Sequence, residues 1–177
     1  MSRFVIFLRG INVGGHIVPK EKLLETLVSS RFRNVSTFKQ SGNVILEADA
    51  MTSEEVKKLA ETKLRRTLNF DVAVFVRTIK QIQELIEFDP FNGQGGKGVD
   101  FQVTFLEKPL TEFPMKLPVR IPNSTADVIS IRGTEVFSVT RGHGDGGRPN
   151  PFLESMLKVR ATTRNWNIVR EIAKICL

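Results

Sequence analysis

The sequence predicts an α+β protein built from two α/β-plait (ferredoxin-like) halves packed together, and three observations lead there. Phe4–Leu8 and Val72–Val76 are unbroken apolar runs, which read as strands buried on both faces because a half-exposed strand would alternate. Residues 3–77 carry the pattern order β, α, β, β, α, β of a split βαβ plait. A plait standing alone wets one face of its sheet, so the remaining chain is expected to cover it. The predicted division is a βαββαβ subdomain over 1–78 and an irregular α/β subdomain with a C-terminal helix over 79–177.

The elements follow in order. After the first strand, Arg9-Gly10-Ile11-Asn12-Val13-Gly14-Gly15 forms a turn, and a helix runs from Pro19 to Ser29 with Leu23, Leu24, Leu27 and Val28 as its apolar stripe. Val35–Lys39 alternates like an edge strand, and Gln40-Ser41-Gly42 reads as a tight turn into Asn43-Val44-Ile45-Leu46. Thr52 with Glu55 is a capping box, opening a helix whose stripe is Val56, Leu59, Ala60, Leu64 and Leu68. Its charges, Glu54 with Lys58 and Glu61 with Arg65, have the spacing of pairs on a solvated face.

In the second half, Thr78 and Gln81 repeat the capping spacing before a helix bearing Ile79, Ile82, Leu85 and Ile86, which Asp89-Pro90 stops. Val99, Phe101, Val103 and Phe105 alternate as a strand. Pro109, Pro114, Pro118 and Pro122 keep the next stretch irregular, with at most a short helix. Ala126–Arg132 and Glu135–Thr140 form a hairpin turning at Gly133. Asn150-Pro151 reads as cap and first residue of a short helix, and Ile168, Val169, Ile172 and Cys176 share one face of a last helix. No sequence repeat links the halves.

Composition narrows the function classes. The apolar content of 41% suits a globular chain, and the longest apolar run near the N-terminus falls far short of the ~20 residues of a membrane span, so the expected location is cytoplasmic. A single cysteine, Cys176, cannot form an internal disulfide. The net charge of +7 is spread over both halves, although the last part of the chain is locally richer in arginine and lysine. Phosphate-bearing partners and a merely solvated basic surface both fit that distribution.

Leu8-Arg9-Gly10-Ile11-Asn12-Val13-Gly14-Gly15, Gln40-Ser41-Gly42-Asn43-Val44 and Ala161-Thr162-Thr163-Arg164-Asn165-Trp166-Asn167, in that order, resemble the signature of a bacterial family catalogued as domain of unknown function 1697. The resemblance extends over nearly the whole chain and implies two plait-like halves. It implies no activity, cofactor or catalytic residue. Ile168-Val169 departs from the Thr-Val that often follows Asn-Trp-Asn in the family.

Two groups of polar residues stand out as candidate ligand contacts. Arg9, Asn12, Gly14 and Gly15 follow the first buried strand, where glycine amides and the start of a helix would favour phosphate or carboxylate with Arg9 as a clamp. The competing reading is a plain turn. Neither a dinucleotide fingerprint nor a Walker motif is present, since no Gly-x-Gly-x-x-Gly or Gly-Lys-Ser/Thr occurs there. Arg164, Asn165 and Asn167 surround Trp166 near the start of the last helix, where a threonine would cap, Trp166 would anchor the core and the asparagines would bond loop backbone or an anion. Ser41 and Asn43 fit hairpin chemistry.

The catalytic inventory is short. His16 and His143 are the two histidines, tyrosine is missing, and neither a zinc-spaced Cys/His cluster nor a carboxylate pair emerges from Asp71, Asp100 and Asp127. His143 with Asp145 could serve as an acid–base pair, but a plain polar loop is the favoured reading of them. No metal or cofactor is expected, and no reaction is assigned. The leading reading is a protein binding a small anionic ligand between its halves, with Arg9, Asn12, Gly14, Gly15, Arg164, Asn165 and Asn167 as its contacts. A nucleic-acid binder would need exposed aromatics on the central strands, which Val44-Ile45-Leu46 does not supply. A ligand-free interaction module is the third alternative.

Overall fold

The computed structural model describes residues 1–12, 14, 15, 17–142 and 149–176, and for Gln40 and Ser41 the backbone alone. It is an α+β fold with one four-stranded and one five-stranded antiparallel sheet and five helices. The chain divides into two compact units, Met1–Gln83 and Glu84–Leu177.

In the first unit β1 (Ser2–Arg9), β2 (Phe32–Phe38), β3 (Gln40–Ala48) and β4 (Ala73–Thr78) lie in the order β2-β3-β1-β4, with α1 (Lys20–Leu27) and α2 (Ser53–Leu68) as crossovers. That order with βαββαβ connectivity is the ferredoxin-like plait. The unbroken runs behave as their composition requires. Phe4, Ile6 and Leu8 join Val44, Leu46, Val74 and Val76 in a core with Leu23, Leu27, Val56, Ala60 and Leu64 of the helices. Val5 and Phe7, on the opposite face of β1, are fully buried too. Each large side chain so buried is worth roughly 1.5–3 kcal/mol relative to exposure.

Local chemistry sets the boundaries. Thr52 and Glu55 form the expected capping box, and Asn69 closes α2 in the left-handed conformation at φ 61°. Glu54 pairs with Lys58 at 3.8 Å. Arg65 reaches Asp71 at 2.7 Å rather than Glu61, whose carboxylate accepts the Val74 amide at 3.2 Å and ties α2 to β4. The hairpin turns two residues earlier than the sequence suggests. Phe38 pairs with Gln40 across Lys39 at φ 54°, so Gln40–Gly42 belong to β3. β2 also starts earlier, at Phe32, because the register shift between Arg33 and Ser36, with Asn34 at φ 51°, breaks the alternation that would have revealed it.

The second unit holds β5 (Val99–Leu106), β6 (Val119–Arg120), β7 (Ala126–Arg132), β8 (Glu135–Arg141) and β9 (Ala161–Asn165), ordered β6-β7-β8-β5-β9, with α4 (Pro149–Leu157) and α5 (Trp166–Ile175). α3 (Ile79–Phe88) precedes β5 and opens with Thr78 and Gln81 capping each other. Setting β6 aside, β5, β7, β8 and β9 repeat the order of the first sheet, second-third-first-fourth. A proline-rich crossover stands where the first plait has α1. Its Leu110, Phe113 and Leu117 pack against the cluster of Leu106, Val128, Val136, Leu153 and Ala161, filling the place a helix would take. On the other face of the sheet Phe137 of β8 meets Phe91 and Trp166 edge-on, at 5.8 and 6.1 Å between ring centres.

Two boundaries differ from expectation. α4 begins at Pro149, whose fixed φ suits the first helical turn, and Asn150 lies inside the helix instead of capping it. Ala161–Asn165 is a strand paired with β5, since its threonines favour extended backbone, and Asn165 instead of a threonine caps α5.

Candidate functional site

The loop after β1 is shaped by left-handed residues. Gly10, Asn12, Gly14 and Gly15 have φ of 89°, 57°, 59° and 87°. At Gly10 a Cβ would lie 3.7 Å from the Asp71 carbonyl, an ordinary contact, so backbone conformation and not space calls for glycine there. Asn12 holds the loop, its Oδ1 accepting the Val18 amide at 3.0 Å. Asparagine tolerates this conformation better than most residues because its short polar side chain bonds locally. Gly14 and Gly15 are exposed, with no atom within 4 Å of where a Cβ would stand.

Arg9 ends β1, half-buried and opposite Ala73 of β4. α1 starts five residues beyond Gly15, and its N-cap Pro19 offers no side-chain acceptor. Lys20 and Lys22 are exposed in its first turn beside Glu21. The described residues here combine left-handed glycines, the Asn12–Val18 bond and exposed lysines.

The second group sits at the β9–α5 junction. Arg164 is half-buried, its Nη1 donating to Thr162 Oγ1 and to the Thr163 carbonyl, each at 2.8 Å. Asn165 spends its Oδ1 on the Asn167 amide at 2.9 Å, and Asn167 is exposed. Trp166 is buried among the phenylalanines and is a core anchor. Thus Arg9, Asn12, Gly14 and Gly15 lie on one loop of the first unit, and Arg164, Asn165 and Asn167 on one junction of the second. Asn43 is buried and donates across its hairpin to the Phe38 carbonyl at 3.3 Å. His16, and the proposed pair His143 and Asp145, lie outside the described residues. Among the described residues no group of three or more His, Cys, Asp or Glu could hold a metal ion.

Several buried polar residues escaped the sequence reading. Arg77 of β4 is 8% exposed and its Nη1 donates to the Val76 carbonyl. In the second sheet Thr104 and Thr163 share a hydroxyl contact of 2.8 Å, and Thr163 also donates to Asn150 Oδ1 at 3.3 Å. Beside them Gln102 Oε1, Ser138 Oγ and Thr140 Oγ1 are buried without a hydrogen-bond partner among the described residues. A signal existed: Ser138 and Thr140 stand next to Val136, Phe137 and Val139 in a strand buried on both faces from Glu135 to Thr140.

A family model described as protein of unknown function (DUF1697) matches residues 1–137. The chain belongs to this family. No curated protein matches this DUF1697 chain. Among solved structures it resembles the conserved bacterial protein SP0830 from Streptococcus pneumoniae, with a TM-score of 0.69 and 17% identity over 99% of this chain and 98% of that one. At that identity the likeness establishes the fold alone. No helix among the described residues is long and apolar enough to cross a membrane.

Proposed function

We propose that this DUF1697 chain binds a small anionic ligand, bearing phosphate or carboxylate, at the loop between β1 and α1. The observation that carries this reading is the set of left-handed residues Gly10, Asn12, Gly14 and Gly15, with Asn12 bonded to Val18 and the two last glycines exposed. Left-handed turns expose backbone N–H groups to one concave side, where they suit an anion. Arg9 at the base of the loop can add two parallel donors to such a ligand. The buried faces of β1 argue against a nucleic-acid role resting on base stacking, because Phe4 and Phe7 are covered. Arg164, Asn165 and Asn167 of the second unit are tested on their own by the variant Arg164→Ala, which reads whether they take part in anion binding at all.

The test is thermal unfolding of the full chain with inorganic phosphate, nucleotides and sugar phosphates. A ligand at a hundred times its Kd should add about 2.7 kcal/mol to stability. Arg9→Ala should abolish that gain, measured against the variant's own unliganded midpoint. Equal stabilisation of native and Arg9→Ala protein, or none by any anion, refutes the reading.

A further inference from the structure

We infer that β9 is a strand edge held closed by the chain's own side chains, and that the partner it is closed against is a second copy of this chain, paired strand to strand. β9 ends the second sheet in the order β6-β7-β8-β5-β9. The Glu107 amide donates to the Arg160 carbonyl at 2.9 Å, which fixes the alternation of the ladder. Thr162 and Arg164 turn their backbone groups toward β5, and Ala161, Thr163 and Asn165 turn theirs away from it. Such an edge is a template for another strand unless something occupies it.

Two side chains occupy it. Glu154 of α4 accepts the Ala161 amide at 2.7 Å, and Arg164 donates to the Thr163 carbonyl at 2.8 Å. An outward donor and an outward acceptor are thereby taken in charge-assisted bonds, the stronger kind. The same Nη1 of Arg164 donates to Thr162 Oγ1, which holds the guanidinium back along its own strand. An incoming strand would have to displace both side chains and take both charges out of water.

The first unit carries the same arrangement on its own outer strand. Glu61 of α2 accepts the Val74 amide at 3.2 Å, and Arg77 donates to the Val76 carbonyl at 2.8 Å. In both strands the arginine stands three residues after the bonded amide and one before the cap of the next helix, Thr78 for α3 and Asn165 for α5. The bonds thus recur where the side chains of Val74–Arg77 and Ala161–Arg164 otherwise differ. Access separates the two edges. Arg77 is only 8% exposed and its bond is buried, whereas Glu154, Thr163 and Arg164 are half-buried and Arg160 beside them is exposed, so β9 is the edge a partner can reach.

The sequence of the edge selects a second copy. Antiparallel pairing of two β9 strands about Thr163 is self-complementary, as a two-fold contact requires. It sets Thr163 opposite Thr163 and Thr162 opposite Arg164, so like charges do not meet, and threonine suits a ladder. The other edge of this sheet offers no such course, because β6 has two residues and lies between Pro118 and Pro122.

The experiment is sedimentation velocity of the full chain over a range of concentrations, with hydrogen exchange of the Ala161 and Thr163 amides as the local readout. Glu154→Ala combined with Arg164→Ala should self-associate about tenfold more tightly than native, and the two amides should exchange more slowly as concentration rises. Glu154→Gln and Arg164→Lys, which keep an acceptor and a donor, should stay close to native. Glu54→Ala with Lys58→Ala removes the same charges from α2 and should change nothing. The single variants Glu154→Ala and Arg164→Ala each open one bond, so the reading survives if the double variant fails to fold, which circular dichroism reports. Run without added anion, the measurement is separate from the test of Arg164 as an anion contact. Association no tighter than native, association that leaves both amides unprotected, equal association by the Glu54 and Lys58 variant, or concentration-dependent protection of the Ala161 amide in the native chain would each overturn the inference.

Discussion

Asn12 offers the clearest separation of scaffold from recognition, because its side chain and backbone make two demands that different substitutions satisfy singly. Its φ of 57° is a left-handed conformation, and its Oδ1 accepts the amide of Val18, a residue only 4% exposed. Asn12→Ala loses both supports. An L-residue with a Cβ in that region costs roughly 1–2 kcal/mol, and a part-buried amide left unmet costs about 1–3 kcal/mol, so the variant should lose about 2–5 kcal/mol. Asn12→Gly keeps the backbone conformation and loses the bond to Val18, about 1–3 kcal/mol. Asn12→Asp retains an acceptor and a residue that tolerates the conformation, and should stay near native stability. It would also set a negative charge beside the proposed anion. Urea unfolding followed by far-ultraviolet circular dichroism gives the order, and hydrogen exchange of the Val18 amide localises it. The aspartate variant should therefore fold like native and fail to respond to phosphate. An alanine variant within about 0.5 kcal/mol of native, or an aspartate variant as unstable as alanine, would refute the assignment of Asn12 as the fastener of the loop.

Two further outcomes test the fold. The Thr52 amide and hydroxyl hold the Glu55 carboxyl below its ordinary range, and the Asn34 amide with Arg3 does the same for Glu47. A lowered folded-state pKa contributes stability that is complete above the unfolded value and lost as pH falls through the folded one, so Glu55→Gln with Glu47→Gln should flatten the acid side of the stability profile; an unchanged slope in urea midpoints would count against it. Leu153→Ala should cost about 2–5 kcal/mol, since Leu153 is fully buried against the second sheet, and a loss below about 1 kcal/mol would show that α4 packs more loosely than described.

The first plait was legible because its signals are local. Unbroken apolar runs, a capping box and a helical stripe each declare themselves within a few residues, and Thr52 with Glu55 and Phe4–Leu8 appear where expected. What escaped reading depends on partners distant in sequence. Ala161–Asn165 reads as the approach to a helix until β5, more than fifty residues earlier, supplies its ladder. The turn at Lys39 was hidden because Ser41 and Gly42 resemble turn residues more closely than lysine does. Of the candidate contacts, the glycine loop could be found from residue types alone. The buried hydroxyls of Ser138 and Thr140 are set beside Gln102 by cross-strand register, which residue types do not disclose.

The proline-rich crossover of the second unit has no period, unlike the strands it joins and unlike the helix at the matching place in the first unit. One residue added to a helix turns all that follows by about 100°, and one added to a strand exchanges its two faces. Between Leu110 and Leu117 the chain obeys neither rhythm, and Pro114, Met115 and Lys116 stand exposed at its crest. Extra length there enlarges a loop at a closure cost that grows only with the logarithm of its size. The second plait thus contains a stretch where the gene can gain or lose codons without moving a single side chain of the sheet out of phase.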